Sequence, residues 1–120
     1  MKNKVQTELG EVKRFDIVVV KYDGKYLIKR VIALPGETLE YKDSKLYING
    51  EEIEETFLEA DVKTDNFKLS GKVPENYYFV VGDNREVSLD SRYLGAFSRS
   101  KIIGKTTLTI FPFNRVGYKD

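Results

Sequence analysis

Residues 15–22 read FDIVVVKY, an apolar and β-branched run bounded by charges. Such a run predicts a strand buried on both faces. Asp23-Gly24 supplies turn chemistry and KYLIKRVIAL follows, so residues 15–34 predict a hairpin that Pro35-Gly36 ends. A second hairpin is predicted over 38–53. There LEY and KLYI flank Lys42-Asp43-Ser44, and Asn49-Gly50 makes the next tight turn. Residues 51–72, EEIEETFLEADVKTDNFKLSGK, are charge-dense and the least patterned. They read as a surface excursion, with at most one helical turn at FLEA, because the segment is too short for its own core. After Pro74, a strand is predicted at Tyr77–Val81, then a polar loop over 82–92 and a last strand over 105–113. No internal repeat or long amphipathic helix is present. The chain is predicted to be mainly β, in a single domain over 1–120.

Composition narrows the chemistry. The 120 residues are 41% hydrophobic and 32% charged, with 20 Lys plus Arg against 19 Asp plus Glu. A formal net charge of +1 gives no gross electrostatic reason to seek nucleic acid. There is no His, Cys or Trp, and the only Met is Met1. A Ser-His-Asp triad, a Cys nucleophile, a thiolate zinc cluster and a disulfide framework are therefore excluded. Oxygen-only Ca²⁺ or Mg²⁺ sites stay open, and acid–base work falls to Lys, Tyr, Asp or Glu. The first 14 residues lack the apolar centre of a signal peptide, and no apolar run approaches the roughly 18 residues of a membrane span. The expectation is a chain that is soluble as it stands.

Two constellations stand out. Period-2 alternation sets Leu27, Lys29 and Val31 on one strand face and Ile28, Arg30 and Ile32 on the other, so both charges sit among apolar neighbours. Full burial lowers a lysine by several units from about 10.4, and a neutral amine can act as a general base near pH 7. On this segment alone, an edge strand whose lysine snorkels to water is the simpler account. The second constellation is GDNREVSLDSR, residues 82–92, with five charges of mixed sign, two serines and an Asn. Asp90 and Arg92 are an obvious pair within it. Alone, it reads as a solvated turn. A Ca²⁺ loop is disfavoured because the glycine at the sixth position of an EF-hand is absent.

In order, RFDIVVV, YLIKRVIALPGE, KLYING, VPENYYFVVGDNREVSLDSRYLG, IIGK and FPF resemble the bacterial type I signal peptidases over residues 14–113. The short stretch between KLYING and VPENYYF is similar to Gram-positive members. The resemblance implies the bent antiparallel β-sheets of the signal peptidase and LexA-like catalytic core. It also implies a membrane-anchored serine endopeptidase with a Ser/Lys dyad and no cofactor, which removes signal peptides from preproteins on the outer face of the cytoplasmic membrane. By position it implies that Lys29 is the general base and that the Ser88 hydroxyl orients its amine. Asp90 and Arg92 then form the pair that stiffens the loop, with Arg30 close by, and Gly82 and Asp83 open the motif. Val19, Leu27 and Ile28 fall where the family lines shallow pockets for small residues at the first and third positions before the cut. The resemblance also implies a dry environment for Lys29, which reverses the snorkelling account.

One part of the family pattern is missing. The family carries its nucleophile in a Ser-Met-x-Pro-Thr segment upstream of the RFDIVVV strand, after one or more transmembrane helices. The six serines here are Ser44, Ser70, Ser88, Ser91, Ser98 and Ser100, and none is followed by Met. The expectation is a catalytic-domain fragment with the base but neither nucleophile nor anchor, inactive by itself. The alternative is a non-catalytic signal-peptidase-like partner in pilus or surface-protein assembly, which the retained Lys29, Arg30 and intact loop argue against. A LexA-like self-cleaving repressor shares the Ser/Lys chemistry but leaves the 82–92 loop unexplained. In the parent enzyme the partners are signal-peptide segments and the membrane lipid surface. Loss of the nucleophile strand further predicts an open edge beside Lys29, filled by dimerisation, strand swapping or an extended peptide.

Overall fold

Asp23 and Gly24 both adopt left-handed φ, 52° and 73°. Such a two-residue turn follows the right-handed twist of its flanking strands. In the computed structural model, which describes residues 10–86 and 89–106, it joins β1 (Ile17–Tyr22) to β2 (Lys25–Ala33). The pairing runs without a slip from Ile17 opposite Arg30 to Tyr22 opposite Lys25. The same device recurs in the second hairpin. Asp43-Ser44 (φ 53° and 65°) links β3 (Leu39–Lys42) to β4 (Lys45–Ile48), and Asn49-Gly50 (φ 53° and 82°) links β4 to β5 (Glu51–Ile53).

The 51–72 segment is tied in at both ends. β5 pairs with β4, and β6 (Phe67–Lys68) pairs with β3, giving a four-stranded sheet in the order β5-β4-β3-β6. FLEA makes a turn closed by the Leu58 N–H on the Glu55 carbonyl at 3.1 Å, and no helix forms there.

The other sheet is five-stranded, in the order β8-β7-β2-β1-β9, with β7 at Tyr77–Val81, β8 at Phe97–Ser98 and β9 at Ile102–Thr106. The last strand begins earlier than the sequence suggested, because Ile102 and Gly104 pair with Val20 and Val19. Residues 107–113 of the predicted strand lie outside the described residues. A one-turn helix, α1 (Ser91–Leu94), closes the polar loop where no helix was expected. Asp90 caps it by accepting from the Arg92 N–H.

Two apolar clusters follow from the alternation. Val18, Val20, Leu27, Val31, Val80, Phe97 and Ile102 pack on one face of the five-stranded sheet. Ile32, Ala33, Phe79 and Val81 meet Leu39, Tyr41, Leu46 and Ile48 of the four-stranded sheet on the other. Consecutive residues Ile32 and Ala33 both reach the second cluster because the β2–β7 register shifts between Val31 and Ala33. A bulge of this kind re-aims a side chain. The architecture is mainly antiparallel β with almost no helix, as the sequence predicts.

Candidate active site

Lys29 lies in β2, the middle strand of five, and is 2% exposed. Its cross-strand partner is Val18, itself fully buried. This burial rules out the account in which the lysine snorkels to water. Alternation puts Lys29 on the same face as Leu27 and Val31, both members of the first apolar cluster.

Arg30 points to the opposite face. Its Nε and Nη2 donate to the two carboxylate oxygens of Asp83 at 3.1 and 2.8 Å, and its Nη1 donates to the Phe15 carbonyl at 3.1 Å. The guanidinium also lies 3.9 Å from the centroid of the Phe57 ring. Planar two-point pairing of this type fixes direction as well as distance. Arg30 thus clamps Asp83, while Asp90 pairs with Arg92.

The described parts of the 82–92 loop, residues 82–86 and 89–92, are tied together by charge-assisted bonds. Fully buried Asp90 accepts from the Gly82 N–H at 2.9 Å and from Arg92 Nε and Nη2 at 3.0 and 2.8 Å. Burial by itself would raise the Asp90 carboxyl. The hydrogen bonds from Arg92 and the Gly82 N–H, with the Arg92 charge, hold it below its ordinary value. Beside it, Ser91 Oγ accepts from the Val80 N–H at 3.0 Å.

Arg85 is the most deeply held cation of the loop, with a side chain 0% exposed. Its Nε donates to the Gly82 carbonyl at 2.9 Å, and its Nη2 meets the Glu55 carboxylate at 2.8 Å. Thr64 Oγ1 takes a further bond at 3.2 Å, and the Tyr41 hydroxyl donates to Glu55 at 2.7 Å. Burial, and then the adjacent Glu55 carboxylate, push Tyr41 well above the usual phenol range and keep it a donor. Glu55, Phe57 and Thr64 were missed in the sequence because no spacing rule connects a charge-dense segment to a loop some thirty residues on.

Not every expected neighbour is brought together. Val19 and Ile28 are cross-strand partners on one face, with Gly104 next to Val19 on β9. Leu27 faces the other way, into the first cluster. All three are nearly closed off, at 4%, 1% and 2% exposure in the order Val19, Ile28, Leu27. Ser88 lies outside the described residues. A cleft of about 530 Å³ opens elsewhere, between the Asp23-Gly24 turn and residues 94–98, and Lys29 does not line it. Among the described residues no helix is long and apolar enough to cross a membrane.

The profile described as signal peptidase, peptidase S26, matches residues 1–111. The chain belongs to this family. It is 44% identical over 119 residues to signal peptidase I S of Bacillus subtilis (strain 168), covering 90% of this chain and 64% of that protein. To signal peptidase I of Bacillus amyloliquefaciens it is 40% identical over 117 residues, covering 90% of this chain and 63% of that one. The chain thus spans a little under two thirds of the length of these relatives. Among solved structures, a crystal structure of a signal peptidase I from Enterococcus faecalis V583 superposes with a TM-score of 0.76 at 38% identity. That match covers 83% of this chain and all of the other. GDNREVSLDSR and YLIKRVIALPGE, the segments that carried the resemblance, lie within the matched residues.

Proposed function

We propose that the chain is the lysine-bearing part of a type I signal peptidase catalytic domain. Lys29 is the general base, and Ser88 orients its amine. The observation that carries this reading is a lysine 2% exposed on the central strand, next to the Arg30–Asp83 clamp that anchors the 82–92 loop. Burial disfavours an ammonium relative to a neutral amine, and a neutral amine is what proton abstraction requires. In the reaction, Lys29 takes the proton from a serine hydroxyl as that oxygen attacks the carbonyl of the scissile bond. The proton then goes to the leaving amine, and water hydrolyses the acyl-enzyme.

The substrate class is the signal-peptide end of an exported preprotein, cut after a small residue at the outer face of the cytoplasmic membrane. Backbone geometry supports an extended substrate. β1 is paired along its whole length with Lys25 to Arg30 of β2, and β7 joins β2 from Arg30 onward, so Lys29 lies where the β7 ladder begins. An extended peptide lying along this sheet would reach Lys29, with main-chain hydrogen bonds giving affinity. Val19 and Ile28, with side-chain-free Gly104 alongside, support a preference for small residues at the cut. In the absence of substrate, a second copy of the chain is the proposed occupant of that position.

The 120 residues hold no Ser-Met pair, so the chain as it stands is expected to leave a preprotein with an Ala-x-Ala site intact. Preceded by a Ser-Met-x-Pro-Thr segment it should cleave, and Lys29→Ala should abolish that cleavage. Turnover by the 120 residues alone, or full activity in the Lys29→Ala fusion, would sink the reading.

A further inference from the structure

Gly82 is gripped from both sides: its N–H donates to Asp90, and its carbonyl accepts from Arg85. The next residue, Asp83, is held by Arg30. Neither arginine is fixed by the loop alone. Arg85 is neutralised by Glu55, and Arg30 rests on the face of Phe57, which also lies 6.0 Å from the Arg85 guanidinium. Glu55 and Phe57 come from the stretch that connects β5 to β6, in the other sheet. Phe57 is in turn backed by Phe15, ring centroids 5.0 Å apart. Phe15 keeps this position at φ 73°, a conformation costly for an aromatic residue, while its carbonyl accepts from Arg30.

We infer that Glu55 and Phe57 are positioning residues for Gly82 and Asp83, where the polar loop begins: a strut from the β5–β6 connection that sets Arg85 and Arg30, and through them those two residues. The inference takes its functional meaning from the reading of that loop as part of the Lys29 site. Stability by itself does not call for such an arrangement. A buried ion pair is often no better than apolar residues of the same volume, whereas it fixes direction in a way they do not. Tyr41 and Thr64 complete the polar contacts of Glu55 and Arg85, so the strut is satisfied at each charged end. A positively charged guanidinium over a ring face adds a second orienting contact at Arg30.

Native-state hydrogen exchange on the folded 120-residue chain tests this, with the Gly82 amide compared against amides of the β1–β2 ladder. Phe57→Leu keeps an apolar side chain and removes the ring face, and Glu55→Gln keeps shape and removes the charge. In each, Gly82 exchange should accelerate by about ten-fold more than the ladder amides, through local opening of the loop. Gly82 moving in step with the ladder in both variants would show a contribution to global stability only and overturn the strut. Unchanged Gly82 protection would overturn it as well. If Glu55→Gln fails to fold, Phe57→Leu carries the comparison. The readout does not depend on catalysis, so failure of the Lys29 cleavage test would leave the Gly82 result standing, and the reverse holds too.

Discussion

Arg85 has a fully buried guanidinium whose only carboxylate partner among the described residues is Glu55. Removing one member of such a pair leaves an uncompensated charge in a poorly solvated place, at a cost of about 3–5 kcal/mol. Glu55→Ala is therefore expected to lower unfolding stability by about that amount, while Glu55→Met combined with Arg85→Met should cost much less. Urea unfolding decides it; a Glu55→Ala loss under about 1 kcal/mol would place Arg85 in water or on another partner. At the same scale, Lys29 and Arg30 were legible as unusual because both interrupt an apolar strand. Alternation made their opposite faces legible, but not the partner of Arg30. One is enclosed on the face of Leu27 and Val31, and the other is clamped to a residue fifty-three positions away.

Turns decide the elements. The β1–β2, β3–β4 and β4–β5 connections each place two residues at positive φ, and each was readable from Asp-Gly, Asp-Ser or Asn-Gly. Gly24 sits at φ 73° with nothing within 4 Å of where a Cβ would be, so any substitution there costs backbone strain alone. Gly24→Ala should destabilise the chain by about 1 kcal/mol, seen as a lower urea midpoint with an unchanged m-value. An unchanged midpoint would mean that the hairpin is not held by this turn. The elements that escaped the sequence, β6, β8 and α1, are two, two and four residues long. Periodicity cannot register so short a run. The helix nonetheless has a local signal in Asp90, whose carboxylate caps it and pairs with Arg92.

For the whole molecule, carboxylates held below their ordinary values make stability depend on pH. Burial acts to raise both Asp90 and Glu37. Arg92 with the Gly82 N–H lowers the first, and Arg14 with the Leu34 N–H lowers the second, and in each the lowering wins. The folded state thus binds fewer protons than the unfolded one, and stability rises with pH. Their contribution is full above the ordinary carboxylate range of about 4 and is lost as pH falls through the depressed folded values. The urea midpoint should fall between about pH 6 and about pH 3, and Asp90→Asn or Glu37→Gln should flatten that fall. A flat or rising midpoint toward acid would contradict the pairing geometry. By itself the sequence determined the longer strands and their turns, the missing imidazole and thiol chemistry, and the two segments that identify the family. These are local matters of alternation, turn residues and motif spacing. Only the tertiary structure decided that β2 is central, that Lys29 is enclosed, and that the 51–72 segment returns to pair Glu55 with Arg85. These depend on which strands become neighbours and on long-range pairing of charges, which no local pattern encodes.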